Sequence, residues 1–104
     1  MAQFDVYLNA NPDTKEQIPY LLDVQAGLLD VLATRVVIPL YHSHAIPKPA
    51  RHLNPRLEIN EETLVLSTAE LAGVSASMLG RPVANVNNHR DEVIAALDFL
   101  ITGI

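Results

Sequence analysis

The chain of 104 residues has no cysteine and no tryptophan, and its only aromatic side chains besides histidine are three tyrosines and two phenylalanines. Without cysteine neither a disulfide framework nor a thiolate zinc site can form, a composition that fits a reducing compartment. Basic residues are also few: 7 Lys and Arg stand against 12 Asp and Glu, for a formal net charge of −5. They are scattered, so no basic patch is at hand to neutralise phosphates, and nucleic acid is not expected as a direct partner. A basic protein surface or a cationic peptide suits this charge better. Glycine is confined to Gly27, Gly73, Gly80 and Gly103, which leaves no phosphate-cradling loop and no nucleophile elbow. No apolar window reaches membrane-spanning length, and the first residues lack the basic-then-apolar order of a signal peptide. A soluble cytoplasmic protein is expected.

What is present suffices for folding. Apolar residues make up 49% of the chain and charged residues 18%, a balance that supports a packed core and argues against disorder. The length predicts a single domain over 1–104, small enough for dimerisation to add to its stability. Residues Gln3–Leu8 alternate, with Phe4, Val6 and Leu8 on one face, and predict a half-buried strand. A polar loop over 9–14 leads to a second strand over Ile18–Gln25, so the two should form a hairpin. Gly27 breaks the chain before the apolar stretch Leu28–Leu32, whose period is ambiguous. Thr34–Leu40 reads as a buried strand, with Pro39 expected at an edge or bulge. The His- and Pro-rich segment Tyr41–Pro55 is expected to run over the surface without a helix. Arg56–Ile59 and Thr63–Thr68 predict a hairpin through Asn60-Glu61-Glu62, and two more strands are expected at Ala76–Leu79 and Pro82–Val86, split by Gly80-Arg81. This pattern predicts a mainly β fold, a small antiparallel barrel or curled sheet carrying a C-terminal helix.

The helix is the most informative segment. Val93, Ala96, Leu97, Leu100, Ile101 and Ile104 recur at helical spacing and predict a docked stripe over 89–104. Asn88 is placed as the N-cap, with Asp91 completing a capping box. Asp91 and Glu92 complement the dipole, and Gly103 supplies the stop. Ala95, Asp98, Phe99 and Thr102 fall on the opposite face, where Phe99 is an outward aromatic and a candidate contact. A helix that simply closes the core is the plainer alternative.

Motifs for catalysis and metal binding are sparse. His42 and His44, with His52 and Glu58 nearby, do not amount to a zinc set, and the three histidines are read as solvated loop residues. Ser43, Ser67, Ser75 and Ser77 are not placed beside a histidine by any motif. Asp23 and Asp30 flank Leu28-Leu29, a pair that suits a core or interface element better than acid–base work. No enzyme activity, cofactor or metal is expected.

Several segments, in order along nearly the whole chain, resemble the CcdB family: Gln3-Phe4-x-Val6-Tyr7, Asp23-Val24-Gln25, Arg35-x-Val37-Ile38-Pro39-Leu40, Leu57-x-Ile59 and the closing Gly103-Ile104. The resemblance implies an SH3-like small antiparallel barrel with an additional small sheet and a C-terminal α-helix. It implies a homodimeric toxin of a toxin–antitoxin system that binds the A subunit of DNA gyrase and traps the gyrase–DNA cleavage complex. A CcdA-like antitoxin would neutralise it and, with it, repress their operon, so operator DNA would be met only through that complex. The gyrase-binding residues carried over are Leu28, Leu29, Asp98, Ile101, Thr102, Gly103 and Ile104, to which Phe99 is added as a neighbour on the outward strip. Thr102 departs from the plasmid-borne toxin, which has tryptophan there. Two other readings stay open: an endoribonuclease of the MazF or Kid type on the same fold, for which the chain offers Arg35, Arg51 and Arg56, and a non-toxic chromosomal homologue that retains antitoxin binding.

Overall fold

The computed structural model describes residues 1–103 of the chain. In order, its elements are β1 (Asp5–Asn9), β2 (Tyr20–Asp23), β3 (Thr34–His42), β4 (Arg56–Ile59), β5 (Glu62–Leu66), β6 (Ala72–Ser75), β7 (Leu79–Asn85) and α1 (Arg90–Thr102). The strands form a curled antiparallel half-barrel in the order β4-β5-β3-β2-β1-β7, with β6 attached to β3. The smaller group of strands is therefore continuous with the main sheet.

Apolar alternation explains the curl. Val6, Leu22 and Ile38 lie in register across β1, β2 and β3, and all three are fully buried. Leu40 continues the row to Leu66, and Leu57 pairs with Leu64 on the β4–β5 hairpin. Each has its side chain on the concave face, where the sheet closes over a core that also holds Phe4, Ile59, Val86 and Val93. Val93 and Ala96 are the buried residues of α1, and Ile94 and Leu97 pack partly against the same core. The helix thus plugs the open side of the half-barrel.

Local chemistry sets the connections. The β4–β5 turn is two residues, Asn60 and Glu61, with φ of 51° and 68°. That pair of left-handed conformations matches the twist of a tight hairpin. Phe4 also has a positive φ, 70°. Its N–H donates to the Asp23 carbonyl at 2.7 Å, while its own carbonyl accepts from Val86 N–H at 2.9 Å, so this residue ties β2 to the chain beyond β7.

Three expectations are corrected. Pro39 sits inside the sheet rather than at an edge: Thr34–Val37 of β3 pair with β6 and Leu40–His42 with β5. The Pro39 carbonyl accepts from Ser67 N–H at 3.0 Å, between those two partners. A strand residue directs its N–H and C=O to the same side, so the donor proline lacks falls in the gap between β5 and β6. Second, Ala76–Met78 is a 3₁₀ turn, and the strand of this region is β6, one step earlier. Third, Gly80-Arg81 does not interrupt a strand, because β7 runs through it. A Cβ at Gly80 would lie 2.6 Å from the Leu8 carbonyl oxygen. Glycine is present there for close approach of β1 and β7, where the register shifts opposite Pro82.

Candidate functional site

α1 is entered from a 3₁₀ turn over Asn87–His89 and has no side-chain N-cap bond. The Asn88 capping box is not formed. In its place the Asn85 side chain accepts from Asn87 N–H at 2.9 Å, and His89 Nδ1 lies 2.9 Å from Glu92 Oε1. Asp91 and Glu92 occupy the first turn as the dipole favours. The C-terminal stop is as expected: Gly103 adopts φ 74°, and its N–H donates to the Phe99 carbonyl at 2.9 Å.

The end of the helix is divided in character. Ile101 is 78% exposed, although it belongs to the predicted docked stripe, and Asp98, Thr102 and Gly103 are exposed with it. The Thr102 hydroxyl donates back to the Asp98 carbonyl at 2.6 Å, so its polar group is satisfied within the helix. Phe99 is not the free aromatic expected. It is half-buried, with its ring 4.9 Å from the ring of His52. Ile104 lies outside the described residues.

A second apolar group stands on the β2–β3 connection. Gly27–Leu29 forms a 3₁₀ turn with no buried residue. Leu28 is 94% exposed and Val31 93%, with Leu29 and Leu32 about half-exposed. The turn is held from beneath by charge. Arg35, itself fully buried, donates from Nε to Asp23 Oδ2 at 2.8 Å and from Nη1 to Asp30 Oδ1 at 2.7 Å. Burial pushes the Asp23 carboxyl above the usual carboxylate range, against the opposing pull of Gln25 N–H and Arg35. Among the described residues no hydrogen bond joins this turn to α1.

The chain matches the family described as CcdB protein over residues 3–103. It belongs to the CcdB family. Membership places it among the toxins of toxin–antitoxin systems. Two solved structures share the fold. One is an endoribonuclease from mycobacterial species, with TM-score 0.76, 12% identity, and coverage of 97% of this chain and 90% of that one. The other is an endoribonuclease in complex with its cognate antitoxin, also from mycobacterial species, with TM-score 0.74, 11% identity, and coverage of 97% and 94%. At these identities the likeness is one of fold.

In this CcdB-family chain the candidate contacts form two groups, the turn carrying Leu28 and Leu29 and the helix end carrying Asp98, Ile101, Thr102 and Gly103. Val31 and Leu32 extend the first group beyond the pair that motif comparison picks out. Their signal was the unexplained apolar run, with no period to say which way it faced. Of the three histidines expected to be solvated, His44 and His52 are exposed, whereas His42 is half-buried at the end of β3. His42 Nδ1 lies 2.5 Å from Glu62 Oε2, and its ring stacks on His44 at 5.5 Å. No cluster of three or more His, Cys, Asp or Glu suited to a metal occurs among the described residues, and no helix among them is long and apolar enough to cross a membrane. A cavity of about 600 Å³ opens on the outer side of β2, β3 and β6, lined by Pro12, Leu21, Val37, Pro39, Val74 and Met78 among others.

Proposed function

We propose that the chain is a gyrase-directed toxin: as a homodimer it binds the A subunit of DNA gyrase and traps the gyrase–DNA cleavage complex. Its contacts are Leu28, Leu29, Asp98, Phe99, Ile101, Thr102, Gly103 and Ile104. A CcdA-like antitoxin neutralises it and shares with it the repression of their operon. The reading needs no catalysis by this chain. One observation carries it, the large aliphatic Ile101 held in water at the end of a helix that buries Val93 and Ala96. Full burial of such a side chain is worth about 1.5–3 kcal/mol, which folding leaves unspent and a partner can recover. Phe99, packed on His52, supports the helix end more than it replaces the missing tryptophan.

The experiment is titration of the chain against the gate fragment of the gyrase A subunit. The wild-type chain is expected to bind at micromolar concentration or below. Ile101→Asp is expected to weaken binding at least about tenfold, with a stability loss of only about 1 kcal/mol, because the side chain is mostly exposed and the new acid opposes the dipole at the end of α1. Absence of wild-type binding alongside intact antitoxin binding would identify a non-toxic homologue instead.

A second reading, the endoribonuclease, has one local feature in its favour. Arg51 and Arg56 line the same cleft, of about 420 Å³. The third cation it would draw on, Arg35, is buried and committed to Asp23 and Asp30. Two arginines in a chain of net charge −5 make a thin phosphate groove. Incubation with RNA is expected to yield no cleavage, and site-selective cutting abolished by Arg56→Ala would replace the gyrase reading.

A further inference from the structure

The exposed turn after β2 is built to hold its shape. Its internal bonds are few and of the tight i to i+3 kind: Leu29 N–H to Ala26 carbonyl at 3.0 Å, Asp30 to Gly27 at 3.1 Å, and Leu32 to Leu29 at 3.0 Å. Such a segment, with its apolar side chains in water, has no packing of its own to order it. Order comes from below. Arg35 reaches from the start of β3 with its guanidinium fully buried and divides it between the buried Asp23 on β2 and Asp30 at the end of the turn, with Nη2 also 2.7 Å from Asp23 Oδ2. Gln25 adds a second strut, donating from Nε2 to the Leu29 carbonyl at 3.1 Å while its Oε1 accepts from Val36 N–H at 3.0 Å. Asp23 Oδ1 in turn accepts from Gln25 N–H at 3.0 Å.

We infer that Arg35, through Asp30, is a positioning residue that preorganises the whole Leu28–Leu32 turn as a rigid apolar finger for the gyrase A subunit. The inference rests on the proposed target and extends the contact from Leu28 and Leu29 to Val31 and Leu32. Ordering the finger before binding removes a conformational cost that would otherwise be met at the interface. A charge-assisted bond from a buried guanidinium is the strong kind suited to this task.

The test uses Asp30→Ala and Asp30→Asn in the full chain, since Asp30 is half-exposed and Asp23 still balances Arg35 in both variants. Backbone amide order parameters over Leu28–Leu32 are expected near the rigid value of about 0.85 in the wild type and below about 0.6 in Asp30→Ala. Leu22 and Ile38, in the sheet, should stay rigid in all three proteins. Affinity for the gyrase A gate fragment is expected to fall about tenfold in Asp30→Ala. Asp30→Asn, which keeps an oxygen for Arg35 Nη1, should recover part of both losses. A turn that remains ordered in Asp30→Ala overturns the inference, and so does a disordered turn that binds gyrase as tightly as the wild type. If the wild type itself fails to bind, the gyrase reading falls and with it the finger's target, while the order parameters alone decide whether Arg35 and Asp30 hold the turn.

Discussion

Arg35→Met is expected to lower the stability of the fold by about 3–5 kcal/mol near neutral pH, the usual effect of removing one partner from a buried ion pair. Methionine preserves much of the arginine stem, so the loss isolates the charge. Asp23, fully buried, would keep Gln25 N–H as a partner and lose both guanidinium contacts. Urea unfolding at fixed pH measures the effect. The pH dependence has a definite sign. Burial already raises the Asp23 carboxyl above its ordinary value, with Asp5 pushing the same way and Arg35 pulling against it. A carboxyl whose pKa is raised by folding binds its proton more tightly in the native state, so its contribution is most favourable in acid and declines as pH rises through the folded pKa. Without Arg35 that pKa rises further, and the decline continues to higher pH. The deficit of Arg35→Met relative to wild type should therefore shrink as pH is lowered from neutral. Adding Asp23→Asn should also shrink it at neutral pH, because no buried charge is then left unpaired. A deficit that grows on acidification would count against this account.

Phe4→Ala is expected to cost about 3–5 kcal/mol, the range for truncating a buried phenylalanine. Phe4 is 1% exposed and belongs to the central cluster with Val6, Leu22 and Val86. Its backbone adds a second, separable effect. At φ 70° every residue with a Cβ bears a penalty of about 1–2 kcal/mol that glycine escapes. Phe4→Gly should therefore be less destabilising than Phe4→Ala by about 1 kcal/mol, the reverse of the order inside a regular strand. Denaturant midpoints of the two variants, measured side by side, decide the matter. The opposite order would mean that the chain relaxes out of the left-handed conformation once the ring is removed.

The features legible in the sequence were those with a strong period or an unambiguous stop. Phe4 and Val6 alternate clearly, Ile38 lies in a continuous apolar run, and Leu22, Leu57 and Leu64 fall in short strand-like runs, so these core strands could be marked, and the helix follows from Val93, Ala96, Leu97 and Gly103. β6 was not legible, because Ala72-Gly73-Val74-Ser75 has a single branched aliphatic residue and lies in the sheet through pairing with β3 alone. Gly80 misled for a physical reason: glycine marks turns and close backbone contacts alike, and only the distance to Leu8 separates them. At the candidate site, Leu28, Leu29 and the helix end were found through family motifs. The exposure of Val31, the tether from Arg35 to Asp30 and the seating of Phe99 on His52 depend on contacts between distant segments, which no local pattern encodes. Phe99 shows the limit most plainly, since helical spacing turns it away from the core and says nothing of the 46–55 connection that meets it.

The last strand of the sheet has a bearing on how the protein behaves when crowded. β7 forms one margin of the half-barrel and, among the described residues, pairs only with β1, so its other side offers main-chain groups for pairing. Such a margin can recruit an identical one and start a fibrous stack. Pro82 in mid-strand withholds a donor, Arg81 beside it brings a charge, and the two register shifts against β1 bend the ribbon away from flatness. The same irregularities that let β1 and β7 approach closely at Gly80 thus deny a neighbouring molecule a straight template along this margin.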